Sequence, residues 1–161
     1  MIKSFTFLLT LLIVLPSGLW AKERILVLGT SSTELSEIDE RILREETMRL
    51  FLNAGFDIVP VMEVEREVQE RGTILALLNE KEIFPLGTKL SAQWAVRCVL
   101  ATQKSKRSSI LYVYNTATLK RYSTQIAAPA GDFPEVIPSL ASLITEKAEE
   151  LIKDGQRTSQ K

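Results

Sequence analysis

Residues 89–126, KLSAQWAVRCVLATQKSKRSSILYVYNTATLKRYSTQI, decide the fold of this chain. Residues 93–101 are almost wholly apolar, with Arg97 as their one charge. A run this short and apolar is typical of a strand that is buried on both faces. Residues 110–115 and 120–126 then alternate with a period of two, which predicts an antiparallel hairpin. We therefore expect a buried inner strand followed by two return strands.

The segment before this stretch predicts a strand, a helix and a second strand. Residues 24–29, RILVLG, and residues 56–61, FDIVPV, are the two apolar runs. Between them, Ser31 and Glu34 have the spacing of a capping box, and Gly55 stands where helices commonly end. The apolar residues expected on the buried face of this helix are Leu35, Ile38, Ile42, Leu50 and Ala54. The order predicts a right-handed βαβ unit with parallel strands.

The remaining helices are expected at residues 63–70, 73–79, 88–92 and 132–153. Pro85 and Gly87 interrupt the chain before the third of these, and Gly155 is expected to end the last. We therefore predict a single α/β domain over residues 22–155, with a mixed sheet of about five strands flanked by helices. Residues 156–161 are expected to form a polar tail.

Residues 1–21 have the three parts of a secretory signal peptide. Lys3 supplies the positive charge, residues 5–15 form an apolar run, and Ala21 is a small residue at the cleavage position. The run is shorter than the roughly 20 residues that a membrane span needs, so export with cleavage is predicted, with an uncleaved anchor as the alternative. Membrane contact is expected only through this segment.

The composition argues against several kinds of site. Lys+Arg and Asp+Glu both number 20, so net charge gives no reason to expect a nucleic-acid partner. The chain has no histidine, and its single cysteine, Cys98, is expected to be a buried apolar residue. Gly29 and the following hydroxyls lack nucleotide-loop spacing, and we interpret them as helix capping. We predict no catalytic residue, no metal site and no cofactor.

Three segments resemble the amino-terminal domain of the periplasmic TolB protein and related CsgG-like domains of bacterial envelope assemblies. They are ILVLG at residues 25–29, NAGFDIV at residues 53–59, and LSAQWAVRCVL at residues 90–100, which precedes the hairpin. The turn at residues 115–119 lacks the usual glycine, and the sequence includes neither a TolB-type propeller nor the lipidated cysteine of CsgG-type channels. The resemblance implies a periplasmic α/β domain that binds an envelope protein partner.

The predicted function is that of a non-enzymatic adaptor or assembly domain. The alternative is an exported α/β enzyme or small-ligand-binding protein that uses the loops after the first and third strands. A polar pocket with converging carboxylates or Arg97 would favour this alternative, and an exposed strand edge would favour the adaptor. Arg97 itself is expected to pair with a carboxylate or to extend to a sheet edge.

Two places are candidates for partner contact. The first is the strand at residues 120–126, whose outward residues are Arg121, Ser123 and Gln125. The alternative is that another strand, such as residues 24–29, covers this edge. The second place is a basic loop formed by Lys104, Lys106 and Arg107, for which solvated loop charge is the default interpretation and a partner surface the alternative.

Overall fold

The structure is a computed structural model that describes residues 22–103 and 106–159. In chain order the elements are β1 (Arg24–Ser31), α1 (Glu37–Asn53), β2 (Asp57–Ile58), α2 (Val61–Glu70), a 3-10 turn (Leu75–Leu77), α3 (Glu80–Lys89), β3 (Trp94–Gln103), β4 (Lys106–Asn115), β5 (Lys120–Ala127) and α4 (Phe133–Ser159). The strands form a five-stranded sheet in the order β2-β1-β3-β4-β5. β1 is parallel to β2 and β3. β4 is antiparallel to β3, and β5 is antiparallel to β4. The predicted single α/β domain with a mixed sheet is confirmed.

Helices α1 and α4 cover one face of the sheet. Leu111 and Val113 of β4 contribute to this core, and Phe51 of α1 and Leu140 of α4 pack in the same cluster. Leu111, Phe51 and Leu140 have no exposed surface. Burying a side chain of this size contributes about 1.5–3 kcal/mol each, so this layer is the main source of stability.

The opposite face is covered only in part. Helices α2 and α3 pack over Leu26 of β1, Ala95 of β3 and Tyr114 of β4. On β5, Ser123 and Gln125 remain exposed on this side. Helix α3 reaches β5 at the ion pair between Glu80 and Arg121, and beyond that pair the polar face of β5 is open to solvent.

The predicted buried face of α1 is confirmed only in part: Leu35 and Leu50 pack against the core, whereas Ile38, Ile42 and Ala54 are exposed. Ile38 and Ile42 are 62% and 44% exposed, whereas Leu43 and Phe51 are fully buried. The helix is capped by Ser36, whose hydroxyl accepts a hydrogen bond from Asp39 N–H at 3.1 Å. The sequence of α1 carries two apolar stripes on opposite faces, and the one that packs on the sheet includes the aromatic ring of Phe51.

Several other predicted elements differ in extent, among them the helix expected at residues 73–79, which is reduced to the 3-10 turn Leu75–Leu77. The expected helix at residues 88–92 is wrong, since α3 begins after Asn79 and continues through Pro85. A capping box between Asn79 and Glu82 fixes this earlier start. The second strand, expected at residues 56–61, is reduced to Asp57–Ile58 because α2 begins directly after Pro60.

Helix α4 continues through Gly155, so the expected end of the helix at that residue is wrong. A Cβ atom at Gly155 would lie 2.8 Å from Trp94 Cη2 and 3.1 Å from the Tyr122 ring. Glycine therefore allows the helix to approach the sheet closely. One residue later, Gln156 Nε2 donates to Glu23 Oε1 at 2.7 Å, which joins the end of α4 to the start of β1.

Candidate functional site

Strand β5 forms one edge of the sheet. Among the described residues it pairs with β4 and with no other strand. The alternative that residues 24–29 cover this edge is wrong, because β1 pairs with β2 and β3. An unpaired strand presents a row of backbone donors and acceptors to any segment that can pair with it.

The backbone groups of Ser123 point away from β4. Thr116 N–H donates to Gln93 C=O at 3.0 Å, which fixes which residues of β4 bond to β3. Hydrogen-bonded pairs alternate in antiparallel sheets, so Tyr112, four residues back from Thr116, bonds to β3 as well. Tyr112 is directly opposite Ser123, and neither residue contributes backbone bonds to the β4–β5 ladder. The N–H and C=O of Ser123 therefore face the open edge.

The same alternation applies to the other two candidate residues of β5. Arg121 and Gln125 are each two positions from Ser123, so their backbone groups also face outward. The Arg121 guanidinium pairs with Glu80 of α3 and lies 5.3 Å from the centre of the Tyr112 ring. The structure thus brings Arg121, Ser123 and Gln125 together along the open edge.

The predicted basic loop is not seen as such in the described part of the chain. Lys104 and the side chain of Lys106 lie outside the described part of the structure. The backbone of Lys106 begins β4. Arg107 belongs to β4 and stacks over the Phe133 ring at 4.2 Å. It also lies 3.7 Å from a carboxylate oxygen of Glu34. The structure therefore places Arg107 in contacts within the fold.

A groove of about 970 Å³ lies at the carboxyl ends of β1 and β3. Ligands of open α/β sheets commonly bind outside the carboxyl ends of the parallel strands, which is where this groove lies. The groove lies next to the loops that the alternative function would use. Its polar lining comprises Thr30, Ser31, Ser32, Thr33, Glu37, Glu40, Arg44, Glu65, Gln69 and Thr73.

Much of the charge in this groove is engaged within the fold. Gly29 adopts a φ of +83° at a bulge in β1, and Glu40 Oε1 accepts a hydrogen bond from the next amide, Thr30 N–H, at 3.2 Å. A Cβ atom at Gly29 would lie 2.1 Å from Glu40 Oε1, so glycine makes room for this carboxylate. Arg44 Nη2 lies 3.7 Å from Glu65 Oε1. The buried Nε atom of Arg44 has no hydrogen-bond partner among the described groups.

Arg97 ties the 3-10 segment to the end of β1. Its guanidinium donates to Ser31 Oγ at 2.9 Å, to Ala76 C=O at 2.9 Å and to Leu78 C=O. The expected pairing with a carboxylate is wrong, because these neutral oxygens take its donors. Arg97 therefore supports one wall of the groove from behind, because it holds in place the backbone of the Leu75–Leu77 turn, whose residues line the groove.

The described residues contain no group of three or more His, Cys, Asp or Glu side chains that could hold a metal ion. The buried carboxylate of Glu67 is neutralised by Lys89 at 3.0 Å and Arg71 at 3.2 Å. The hydrogen bond from Lys89, with that from Arg71, lowers the pKa of Glu67 below its ordinary value. Glu67 thus stays ionised in a structural cluster between α2 and α3.

Cys98 is expected to resist thiol reagents until the protein unfolds. Burial in β3 raises the pKa of its thiol to about 12, so both access and thiolate formation are suppressed at pH 8. The pKa of the thiol is higher in the folded state than in the unfolded state. The contribution of the neutral, buried thiol to folding stability is therefore complete below about pH 9 and is lost as the pH rises toward 12. Labelling with a maleimide, with and without denaturant, measures the first effect. Rapid labelling of the native protein would contradict the buried placement.

No protein-family model matches the chain, and a search of curated protein sequences finds no match. Several solved structures are similar to the chain. The LpoB C-terminal domain from Salmonella enterica is 16% identical, with a TM-score of 0.54 over 71% of this chain and 87% of that domain. The same domain from Escherichia coli is 12% identical, with a TM-score of 0.51 over 64% and 79% of the two chains. Lipoprotein GNA1162 from Neisseria meningitidis is 13% identical, with a TM-score of 0.50 over 77% and 94%.

The chain shares its fold with these domains. At this level of identity the likeness shows the fold alone. The resemblance to TolB and CsgG-like domains stays a prediction. In the described part of the chain, no helix has the length and apolar character needed to cross a membrane. The expected signal peptide lies outside the described residues.

The groove contains residues that the sequence analysis missed. The sequence pattern does not single out Arg44 and Glu40, yet both line the groove. The available signal was Gly29, because a glycine inside an apolar strand commonly marks a bulge or a close approach. We had interpreted it with the following hydroxyls as helix capping, whereas the cap is Ser36.

Proposed function

We propose that this chain is an exported, non-catalytic domain of the bacterial cell envelope that binds a protein partner. The open edge of β5 is the observation that carries this proposal. The signal-like character of residues 1–21 and the fold shared with LpoB and lipoprotein GNA1162 support the location in the envelope. In this proposal an extended segment of the partner pairs with β5 as an additional strand.

Both the backbone and the side chains of β5 suit strand addition. Arg121, Ser123 and Gln125 direct their N–H and C=O groups outward, and each backbone hydrogen bond contributes about 0.5–1.5 kcal/mol net. This contribution is the same for any extended peptide, so selectivity must come from side chains. The side chains of Tyr112 and Arg121 lie beside the edge on the uncovered face, where they can contact alternate residues of an added strand.

The groove supports the alternative function less well than the edge supports this one. Glu40 is bonded to Thr30, and Arg44 lies beside Glu65. Arg97 donates to Ser31 and to two backbone carbonyls. These contacts use the charged groups to hold the loops in place. We infer that the polar lining of the groove is structural, and that catalysis is not the role of this domain.

Replacing Ser123 with proline is expected to abolish capture of the partner and to leave the domain folded. The Ser123 amide faces the open edge, so proline removes a donor to the partner and no hydrogen bond to β4. Ser123→Ala is the matched control, because it removes the hydroxyl and keeps the amide. Pull-down from envelope extract with each variant, after circular dichroism confirms folding, provides the measurement.

A second proline variant tests the direction assigned to the edge. Thr124 directs its backbone groups toward Leu111 of β4, so Thr124→Pro should damage the hairpin itself. We expect Ser123→Pro to unfold near the wild-type temperature and Thr124→Pro to unfold well below it. Undiminished capture by folded Ser123→Pro would exclude the β5 edge as the binding site.

A further inference from the structure

Helix α1 carries an exposed stripe on the side opposite its buried face. The stripe consists of Ile38, Ile42, Glu45, Arg49 and Leu52, with successive spacings of four, three, four and three residues. This spacing places all five side chains along one side of the helix, as in the a and d positions of a coiled coil. Leu43 and Phe51, which pack on the sheet, lie on the other side.

The apolar members of the stripe are unusually open to solvent. Ile38, Ile42 and Leu52 are 62%, 44% and 53% exposed. Single exposed apolar residues are common, but here three lie along one side of a helix, with Glu45 and Arg49 between Ile42 and Leu52, and an aligned set of this kind commonly marks an interaction surface. Glu45 has no ion-pair partner among the described residues, while Arg49 contacts Glu46 and remains 57% exposed.

We propose that a second copy of this chain packs against the stripe, with the two α1 helices antiparallel. A two-fold axis near residue 47 places Glu45 opposite the partner's Arg49 and Arg49 opposite the partner's Glu45. The same axis places Ile42 against the partner's Leu52, and Leu52 against the partner's Ile42. Each a position then meets a d position over four layers, which are complementary to themselves as a two-fold interface requires, while Ile38 lies beyond the last layer because position 56 is outside α1.

The charges select the antiparallel arrangement. In a parallel pair with the same layers, Glu45 would lie against the partner's Glu45 and Arg49 against the partner's Arg49, which are repulsive contacts. A shift of the antiparallel pair by one heptad would separate Glu45 from Arg49. Charged layers of this kind reduce affinity, because both groups lose water, but they fix orientation and register.

The interface is small. Four layers of side chains on a three-turn stretch of helix bury less than the roughly 1,200 Å² typical of stable complexes. The dimer is therefore weak in dilute solution and strengthens when the chain is concentrated. Helix α1 packs on the β1 and β2 side of the sheet, whereas β5 is the opposite edge. Self-association through α1 therefore leaves the β5 edge accessible.

Charge reversal tests this arrangement directly. The chain beginning at Lys22, which contains every described element, is prepared as Glu45→Arg, as Arg49→Glu and as the double variant. Each single variant creates like-charge contacts across the two-fold axis, and we expect its dissociation constant to rise at least tenfold. The double variant restores both pairs and is expected to dimerise like the wild type. Sedimentation equilibrium over a wide concentration range measures each association.

An equimolar mixture of the two single variants gives the sharpest result. In the mixed pair, one copy has arginine at both positions 45 and 49, and the other has glutamate at both. Position 45 of each copy therefore faces an opposite charge at position 49 of the other. We therefore expect heterodimers although each variant alone is monomeric. Arg66→Glu, which reverses an exposed charge on α2, serves as a control and should leave association unchanged.

Three results would overturn the proposal. One is a wild-type chain that stays monomeric at millimolar concentration. Another is dimerisation that persists unchanged in both single variants, which would assign self-association to a different surface such as the β5 edge. The third is a mixture of folded single variants that does not associate, because the opposed charges would then not face each other.

Discussion

Replacing Phe51 with alanine is expected to lower the free energy of unfolding by about 3–5 kcal/mol. The Phe51 ring has no exposed surface and lies in the core between α1, α4 and the sheet. It also meets the Phe56 ring edge to face, with centroids 5.6 Å apart. Alanine would remove this contact and leave a cavity that the rigid β-sheet cannot close.

Leu52→Ala is the matched control for Phe51→Ala. Leu52 is the next residue of the same helix and is 53% exposed, so its replacement should change the free energy of unfolding by less than about 0.5 kcal/mol in dilute solution. Urea denaturation of both variants, with the chain kept monomeric, provides the comparison. Similar losses at the two positions would mean that the assigned orientation of α1 is wrong.

Replacing Arg97 with methionine is expected to cost about 2–4 kcal/mol. Methionine keeps most of the length of the side chain and removes its donors to Ser31, Ala76 and Leu78. A hydrogen bond from a charged group contributes about 1.5–3 kcal/mol, and the sum is reduced because water can reach part of this site. The Leu75–Leu77 turn would lose its attachment to β1 and β3.

Arg97→Lys separates the effect of charge from that of geometry. Lysine retains the positive charge, but its ammonium group cannot reproduce the fixed, planar donors of the guanidinium, so we expect an intermediate loss. Hydrogen exchange at residues 75–78 should accelerate in both variants, and more in Arg97→Met. A loss below about 1 kcal/mol with unchanged exchange would show that the turn is held by its apolar contacts instead.

The sheet could be predicted from the sequence because its strands carry strong local patterns. The apolar run of β3 and the alternation around Tyr112 and Tyr122 fixed the strands and the face of each side chain before any tertiary contact was considered. The outward residues of β5 followed from the same period of two. Their backbone direction required the bond from Thr116 to Gln93, which the sequence pattern does not reveal.

The helices were less predictable because their sequences permit more than one packing. In α1, the stripe with Ile38 and Ile42 and the stripe with Leu43 and Phe51 have similar apolar content, and only packing on the sheet selects between them. In α3, good capping and buried apolar residues outweigh the hydrogen bond lost at Pro85. Local propensity alone could not decide either case.

The groove could not be predicted because its walls come from segments far apart in the chain. Ser31, Ala76 and Arg97 meet only when β1, the 3-10 turn and β3 are assembled. Each residue has an ordinary explanation in its local sequence. A groove built in this way has no motif, and only the three-dimensional arrangement identifies it.

The hydrogen bond between Gln156 and Glu23 brings the two ends of the described fold together, and this determines the orientation of the domain if either end is attached to a surface. Both ends of the described fold meet at one pole, and β1 rises from there for eight residues at about 3.3 Å each, which places the groove roughly 23 Å away. A tether at either end would hold the domain by the same pole, with the groove turned outward and the β5 edge along its side. A short linker from residue 159 to residue 22 would also join the two ends of the described fold. A circularly permuted chain with its new termini in a distant loop would then keep every strand at its present length.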